Sequence, residues 1–123
     1  MTTRLAWISV AGTILLTIYG QIAIKWRVQG VVLPEAFSAK LWTLLHLLFD
    51  PWIFSAMACA VIASLFWMSA MTKLPLSLAY PFTSLSFVIV AVVGIALMGE
   101  PFSMTKAGGI GLVVIGLILL ARG

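Results

Sequence analysis

Residues 76–98 read LSLAYPFTSLSFVIVAVVGIALM, carry no charged side chain, and are long enough to cross the hydrocarbon core of a bilayer as one helix. Three further apolar runs of similar length cover residues 5–24, 51–71 and 104–121. The chain of 123 residues is 63% hydrophobic and 8% charged, with a mean hydropathy of +1.23, which leaves too little polar surface for a water-soluble globule. The sequence therefore predicts an all-α membrane protein with four transmembrane helices in one domain, residues 1–123.

Local signals near the ends of these runs refine the prediction. Asp50 followed by Pro51 is typical of a helix N-cap and the first helical position. Pro81 lies in the first turns of the third span and removes a backbone hydrogen bond, so we expect the helix to bend there, with nearby hydroxyl side chains satisfying the backbone. Residues 37–49 form an amphipathic segment that either lies in the membrane interface or lengthens the second span.

The net charge of +4 comes largely from seven Lys and Arg residues scattered singly near the ends of the apolar runs, where lipid head groups lie. This pattern favours contact with membrane lipids and gives no support to nucleic-acid binding. Arg4, Lys73 and Arg122 are expected on one side of the membrane, and Lys25, Arg27, Lys40 and Lys106 on the other. The near balance permits an antiparallel dimer, although a bias of one charge or a partner subunit would also fix a single orientation.

Catalysis and metal binding find little support in the sequence. Cys59 is the single cysteine, which excludes a disulfide framework and a Cys-rich metal site. His46 has no second His or Cys close to it, and the chain contains no recognised nucleophile motif, glycine-rich phosphate loop or spaced ligand set. We therefore expect a protein that is not an enzyme and needs no cofactor or metal.

Ionisable and polar residues at the edges of the spans are the candidate substrate-binding residues, because such groups are costly in hydrocarbon unless they are paired or hydrated. Lys25, with Gln21 one turn earlier, and Arg27 can attract a phosphate, or they can simply extend to the lipid head groups. Glu100 can bind a substrate amine or balance a nearby cation, or it can be a solvated carboxylate in a turn.

The predicted bend at Pro81 supplies two further candidates. The phenol of Tyr80 can reach a polar ligand beside the bend, or it can anchor the helix in the interface. Ser84 lies one turn farther on and completes the set of candidate substrate-binding residues.

Four spans alone enclose no obvious pathway, so we expect a dimer. The last span carries several glycines, including Gly109 and Gly116, which are spaced to permit close helix approach in lipid. This glycine surface predicts either a dimer interface or packing against the other spans of the same chain.

Three parts of the chain carry a family resemblance. LPLSLAYPFTSLSF at residues 74–87 is followed by GEP at residues 99–101 and a glycine-rich helix, and GQIAIK covers residues 20–25. The chain resembles the drug/metabolite transporter superfamily, and within it the short four-helix proteins that include the small multidrug resistance exporters. It is most similar to the subunits of the 4-amino-4-deoxy-L-arabinose-phosphoundecaprenol flippase, with their pattern V-P-x-x-I-A-Y-P-x-x-S-L-x-F, then H-E-P, and G-Q-x-x-x-K in the first span.

The resemblance implies a dimeric carrier with a small multidrug resistance-like fold in the bacterial inner membrane. Its substrate would be a lipid-linked sugar phosphate, an undecaprenyl-phosphate-linked sugar or amino sugar used to modify envelope glycan or lipid A. Lys25, with Arg27 and Gln21, would hold the phosphate, and Glu100 and Tyr80 would contact or gate the head group. The first connection looks longer here than in those subunits, which are expected to work as an unlike pair, so a homodimer and a heterodimer with a related four-helix subunit both stay open.

The multidrug exporters differ from this chain in the first span. They carry there a membrane-embedded Glu that couples proton movement to drug release, and this chain has Thr17 at that position. The missing carboxylate favours a flippase. The alternatives are a small multidrug or metabolite exporter that couples through another group, and a non-transporting membrane subunit of a glycosyltransferase complex.

Overall fold

The structure is a computed structural model that describes residues 3–123, and over this range it contains helices and no strand. The helices are α1 (Thr3–Val28), α2 (Phe37–Leu47), α3 (Pro51–Met71), α4 (Leu76–Phe82), α5 (Ser84–Leu97) and α6 (Met104–Arg122). Four segments of the described chain are long and apolar enough to cross a membrane: α1, α3, α4 together with α5, and α6. The predicted all-α membrane fold with four transmembrane helices is confirmed.

The start of α3 and the interruption of the third span follow from local sequence. Asp50 Oδ1 accepts hydrogen bonds from the backbone N–H groups of Trp52 at 2.9 Å and Ile53 at 3.4 Å, which confirms the predicted N-cap. The helix break at Thr83 separates α4 from α5 just after Pro81. Hydroxyl side chains bond to the backbone at this break: Thr83 Oγ1 donates to the carbonyl of Tyr80 at 2.6 Å, which also accepts from the backbone N–H of Thr83 at 3.0 Å.

α1 lies at the centre of the bundle and packs mainly against α3 and α5. Small residues line the contact between α1 and α3, with Ala6, Gly20 and Ala23 buried on one side and Ala56, Ala63 and Ala70 on the other. Small side chains let helix backbones approach closely in lipid, where helix association gains no hydrophobic driving force. This packing fixes α1 against α3 and leaves the C-terminal end of α1 facing α5.

Two helices make few contacts within the chain. α2 has no buried residue and ends at Leu47, so it is separate from α3 rather than a continuous extension of the second span. In α6, Leu117 is the one buried residue. A Cβ atom built on Gly109 or Gly116 would meet no heavy atom within 4 Å, so this glycine surface is not packed against the other helices of the same chain.

Candidate functional site

Lys25 and Glu100 meet at the C-terminal end of α1. Lys25 Nζ lies 3.7 Å from Glu100 Oε1, and the side chains keep 51% and 39% of their exposure, respectively. Both residues line a pocket of about 190 Å³ between α1 and α5, together with Gln21. Its remaining walls are apolar and come from Ile22, Phe87, Val90, Ala91, Val93, Gly94 and Met98. Three of the predicted substrate-binding residues therefore lie in one pocket that carries both a cation and an anion.

Gly94 provides the seat for the Glu100 carboxylate. Gly99 turns the chain after α5 with a φ of +69°, a conformation that favours glycine, and the backbone N–H of Glu100 donates to the carbonyl of Gly94 at 3.0 Å. The carboxylate then lies directly on Gly94, because a Cβ atom there would come within 2.7 Å of Glu100 Oε2. Gly94 is not among the residues predicted from the sequence, where it is one more small residue in an apolar span.

Lys106 lies on the other side of Glu100. These two residues line a second pocket, of about 330 Å³, with Ala91, Ile95 and Ile110. Lys106 Nζ donates a hydrogen bond to the carbonyl of Pro101 at 2.7 Å. Sequence reasoning treats Lys106 only as an interfacial cation, because nothing in the local sequence shows that the start of α6 folds back beside Glu100.

Arg27 does not join this pair. Arg27 Nη2 and Nε donate to Asp50 Oδ2 at 2.7 Å and 3.0 Å, which ties the end of α1 to the start of α3. The hydrogen bond from Arg27 holds the pKa of the Asp50 carboxyl below its ordinary value, with smaller contributions from the N–H groups of Trp52 and Ile53. Arg27 also lies over the ring of Trp26, 5.4 Å from its centroid. Its guanidinium is therefore committed to structural contacts.

Tyr80 lies apart from Lys25 and Glu100, in a pocket of about 430 Å³ bounded by α1, α3 and the helix break. Hydroxyl-bearing side chains share this pocket: Thr13, Thr17, Ser64 and Thr83. Thr17 lies about 12 Å along α1 from Lys25, at a rise of about 1.5 Å per residue. Ser84 does not line this pocket, and its hydroxyl donates to the carbonyl of Pro81 at 2.5 Å.

An apolar groove of about 380 Å³ runs beside the Lys25 pocket. It shares three lining residues with that pocket, Ile22, Val93 and Met98, and adds Tyr19, Ala23, Trp26, Trp52 and Leu97. The rings of Trp26 and Trp52 meet edge to face with centroids 5.5 Å apart, and the Tyr19 hydroxyl is paired with Ser55 Oγ at 2.7 Å. The Tyr19 hydroxyl of the groove is thus already hydrogen-bonded, and the surface of the groove is largely hydrocarbon and aromatic.

The chain is similar to curated bacterial proteins along nearly its whole length. It is 31% identical to the "Probable 4-amino-4-deoxy-L-arabinose-phosphoundecaprenol flippase subunit ArnE" of Pseudomonas savastanoi pv. phaseolicola, over 96% of this chain and 98% of the relative. It is also 31% identical to the protein of the same name with the subunit designation ArnF from Pseudomonas aeruginosa PAO1, over 96% of this chain and 85% of the relative. The chain belongs to the family of these flippase subunits.

With four segments of the described chain that are long and apolar enough to cross a membrane, the chain is a multi-pass membrane protein of this family of flippase subunits. A second ArnE, from Pseudomonas syringae pv. syringae, is 32% identical over 91% of this chain and 96% of the relative. The identity to the ArnE and ArnF subunits is nearly equal, so it does not assign the chain to one of the two. No model of a known protein family and no solved structure matches the chain.

Proposed function

We propose that the chain is a subunit of an inner-membrane flippase that moves an undecaprenyl-phosphate-linked amino sugar between leaflets. The observation that supports this proposal most directly is the contact between Lys25 and Glu100 in a pocket at the end of α1. A head group that contains a phosphodiester and an amine presents one negative and one positive charge, which match this pair. Family membership and the absence of acidic residues from the interiors of the spans support transport of such a lipid rather than an enzymatic role.

Each candidate residue takes a distinct role in this proposal. Lys25 binds the phosphate as a point charge, with Gln21 beside it as an uncharged hydrogen-bonding group. Glu100 accepts from the sugar amine, and Gly94, which has no side chain, leaves room for the carboxylate at this pocket. Arg27 acts indirectly, because its bond to Asp50 holds the end of α1.

The remaining two candidates act elsewhere along the transport path. Tyr80 presents its phenol to the hydroxyl-lined pocket, where a sugar in transit would find neutral hydrogen-bonding partners. Ser84 satisfies the backbone at the helix break, and its role is to support the bend.

The apolar groove beside Lys25 suits the lipid tail. A phosphate held at Lys25 would place the first part of the isoprenoid chain near Ile22, Val93 and Met98, which line both the Lys25 pocket and the apolar groove. The volume of about 380 Å³ falls within the range of about 300–1,000 Å³ that holds drug-sized ligands, so the groove would take a segment of the tail. The rest of the tail would stay in the bilayer.

We also propose that the working unit contains a second four-helix subunit, which is either a related protein or a copy of this chain. The relatives carry the names of two different subunits of one flippase, which supports the unlike pair. The exposed glycine surface of α6, with Gly109 and Gly116, offers the second subunit a place to pack.

Reconstituted vesicles test the proposed function. The chain, alone and with a related four-helix subunit, is placed in vesicles that carry a labelled amino-sugar phosphoprenol, and a head-group reagent added outside reports the rate of transfer between leaflets. Lys25→Gln and Glu100→Gln should each lower the rate at least about tenfold, since each removes a hydrogen bond to a charged group worth about 1.5 kcal/mol or more. Lys40→Gln, an exposed lysine on α2, is the matched control.

Unchanged transfer in both site variants would refute the assignment of the site. Efflux of quaternary cations in place of lipid transfer would identify an exporter. Co-purification with a glycosyltransferase, without lipid transfer in any subunit combination, would identify a non-transporting subunit.

A further inference from the structure

Glu100 lies on the wall between two pockets that each contain one lysine. It lines the pocket of about 190 Å³ with Lys25 and the pocket of about 330 Å³ with Lys106, and Ala91 is the other residue common to both. We propose that Glu100 is an internal counter-ion. Its carboxylate pairs with Lys25 while the site is empty, and it moves to pair with Lys106 when a phosphate binds Lys25. The inference rests on the proposed function, because it takes Lys25 as the phosphate-binding residue.

The contact between Lys25 and Glu100 has the geometry of an exchangeable pair. Its separation of 3.7 Å is well beyond the 2.7–2.9 Å of a strong hydrogen bond between an ammonium and a carboxylate. The neighbouring pair of Arg27 and Asp50, by contrast, closes to 2.7 Å. Glu100 is therefore held near Lys25 by charge and by its seat on Gly94, without a short hydrogen bond that would have to break.

Lys106 is placed to receive the carboxylate. Its ammonium already lies against the backbone next to Glu100, since Nζ donates to the carbonyl of Pro101 at 2.7 Å. An ammonium has three donors, and this bond uses one of them. A change in the side-chain torsions of Glu100 would be enough to bring its carboxylate into the Lys106 pocket, with the backbone hydrogen bond to Gly94 kept.

The charges explain why exchange is needed. A phosphate that arrives at Lys25 while Glu100 is still there places two anions on one cation, and like charges at such a distance disfavour each other. If the Glu100 carboxylate left Lys25 without a new partner, it would lose its pairing with an ammonium at the edge of the membrane. Transfer to Lys106 leaves the phosphodiester paired with Lys25 and Glu100 paired with Lys106, so these four charges sum to zero. The carboxylate has two acceptor oxygens, so one of them stays available to the amine of an amino-sugar substrate.

Binding of farnesyl phosphate to the purified protein in nanodiscs tests the exchange. This probe carries a phosphate and an isoprenoid chain but no amine, so Glu100 cannot gain a contact with it. Glu100→Gln should tighten binding several-fold, because it removes the competing anion, and Lys106→Gln should weaken it several-fold, because Glu100 then stays at Lys25. Lys106→Arg should bind as the unmodified protein does, and Lys40→Gln serves as the control for loss of an exposed lysine.

The double variant Glu100→Gln with Lys106→Gln separates exchange from direct contact. Under the exchange, Lys106→Gln has no further effect once Glu100 is neutral. If Lys106→Gln still weakens binding in that background, Lys106 contacts the phosphate itself and the exchange is refuted. If Glu100→Gln leaves binding unchanged or weakens it while Lys25→Gln abolishes it, the exchange is also refuted and the phosphate site stands. If Lys25→Gln has no effect, the failure lies in the proposed function.

Discussion

Replacing Gly94 by Ala should change the geometry of the Lys25–Glu100 contact while it leaves the stability of the fold nearly unchanged. The new Cβ atom would lie 2.7 Å from Glu100 Oε2 and 3.0 Å from its Cδ, against a lower limit of 3.4 Å for ordinary contact. The carboxylate must therefore move by roughly 0.7 Å or more from its present position. Since a hydrogen bond to the carbonyl of Gly94 holds the backbone of Glu100, the side chain has to rotate, and we expect the contact with Lys25 to open.

The fold should tolerate this substitution. An Ala inside a helix is favoured over Gly by about 1 kcal/mol, whereas a partly exposed ion pair contributes about 1 kcal/mol or less. The two effects nearly cancel, so the unfolding temperature should change little. Lipid transfer, in contrast, should fall at least about tenfold if the carboxylate no longer reaches the amine, because a hydrogen bond to a charged group is lost.

A zero-length carbodiimide cross-link measures the contact directly. The reagent joins an amine to a carboxylate that touches it, and mass spectrometry of the digested protein gives the yield of the Lys25–Glu100 product. We expect Gly94→Ala to lower this yield several-fold. Gly20→Ala is the matched control, since it also replaces a buried helical glycine, but its Cβ atom would meet Ala56 at ordinary distances of 3.6 Å and 3.9 Å. If Gly94→Ala gives the same cross-linking yield and the same rate of lipid transfer as the unmodified protein, the reasoning is refuted.

Three further measurements address other parts of the structure. The pKa of Asp50 is lower in the folded state than its ordinary value of 3.8, so the contribution of this carboxylate to stability is present above pH 3.8 and is lost as the pH falls through the folded pKa. Thermal unfolding in detergent should show this acid dependence, and Asp50→Asn should remove it. Gly109→Leu with Gly116→Leu should leave the single chain folded, because a Cβ atom at either position meets no heavy atom within 4 Å. The two substitutions should reduce association with the second subunit in a fluorescence energy-transfer assay, and unchanged association would place the interface elsewhere. Tyr80→Phe should slow lipid transfer several-fold while farnesyl phosphate binding stays constant, and an equal loss of binding would contradict the separation of Tyr80 from the Lys25 pocket.

Features that depend on local sequence are predictable from the chain alone. The four spans follow from long runs of apolar residues, since a helix in lipid must satisfy its backbone internally and expose hydrocarbon. The cap at Asp50 and the break after Pro81 follow from the chemistry of single side chains within one turn of helix. In each case, the residues that decide the structure are neighbours in the sequence.

Pairing between distant residues could be predicted only in part. Lys25 and Glu100 were each predicted as binding residues, but Gly94 and Lys106 matter only because the end of α5 and the start of α6 surround the carboxylate. Arg27 shows the reverse case. Its sequence position suits a phosphate ligand, yet the turn before α3 brings Asp50 to within 2.7 Å and commits the guanidinium.

The placement of charge along the path constrains how a head group crosses. Lys25, Glu100 and Lys106 lie together at the end of the bundle, whereas the pocket around Thr17 and Tyr80 offers hydroxyl groups and no charged residue. An isolated ion at that depth costs several kcal/mol, and neutral hydroxyls cannot balance it. Under the proposed function, the phosphodiester must therefore carry its own counter-charge into the membrane, and an amine on the attached sugar supplies one. The absence of a carboxylate at Thr17 fits such a substrate, because a fixed anion at that point would repel the phosphate in the middle of its path.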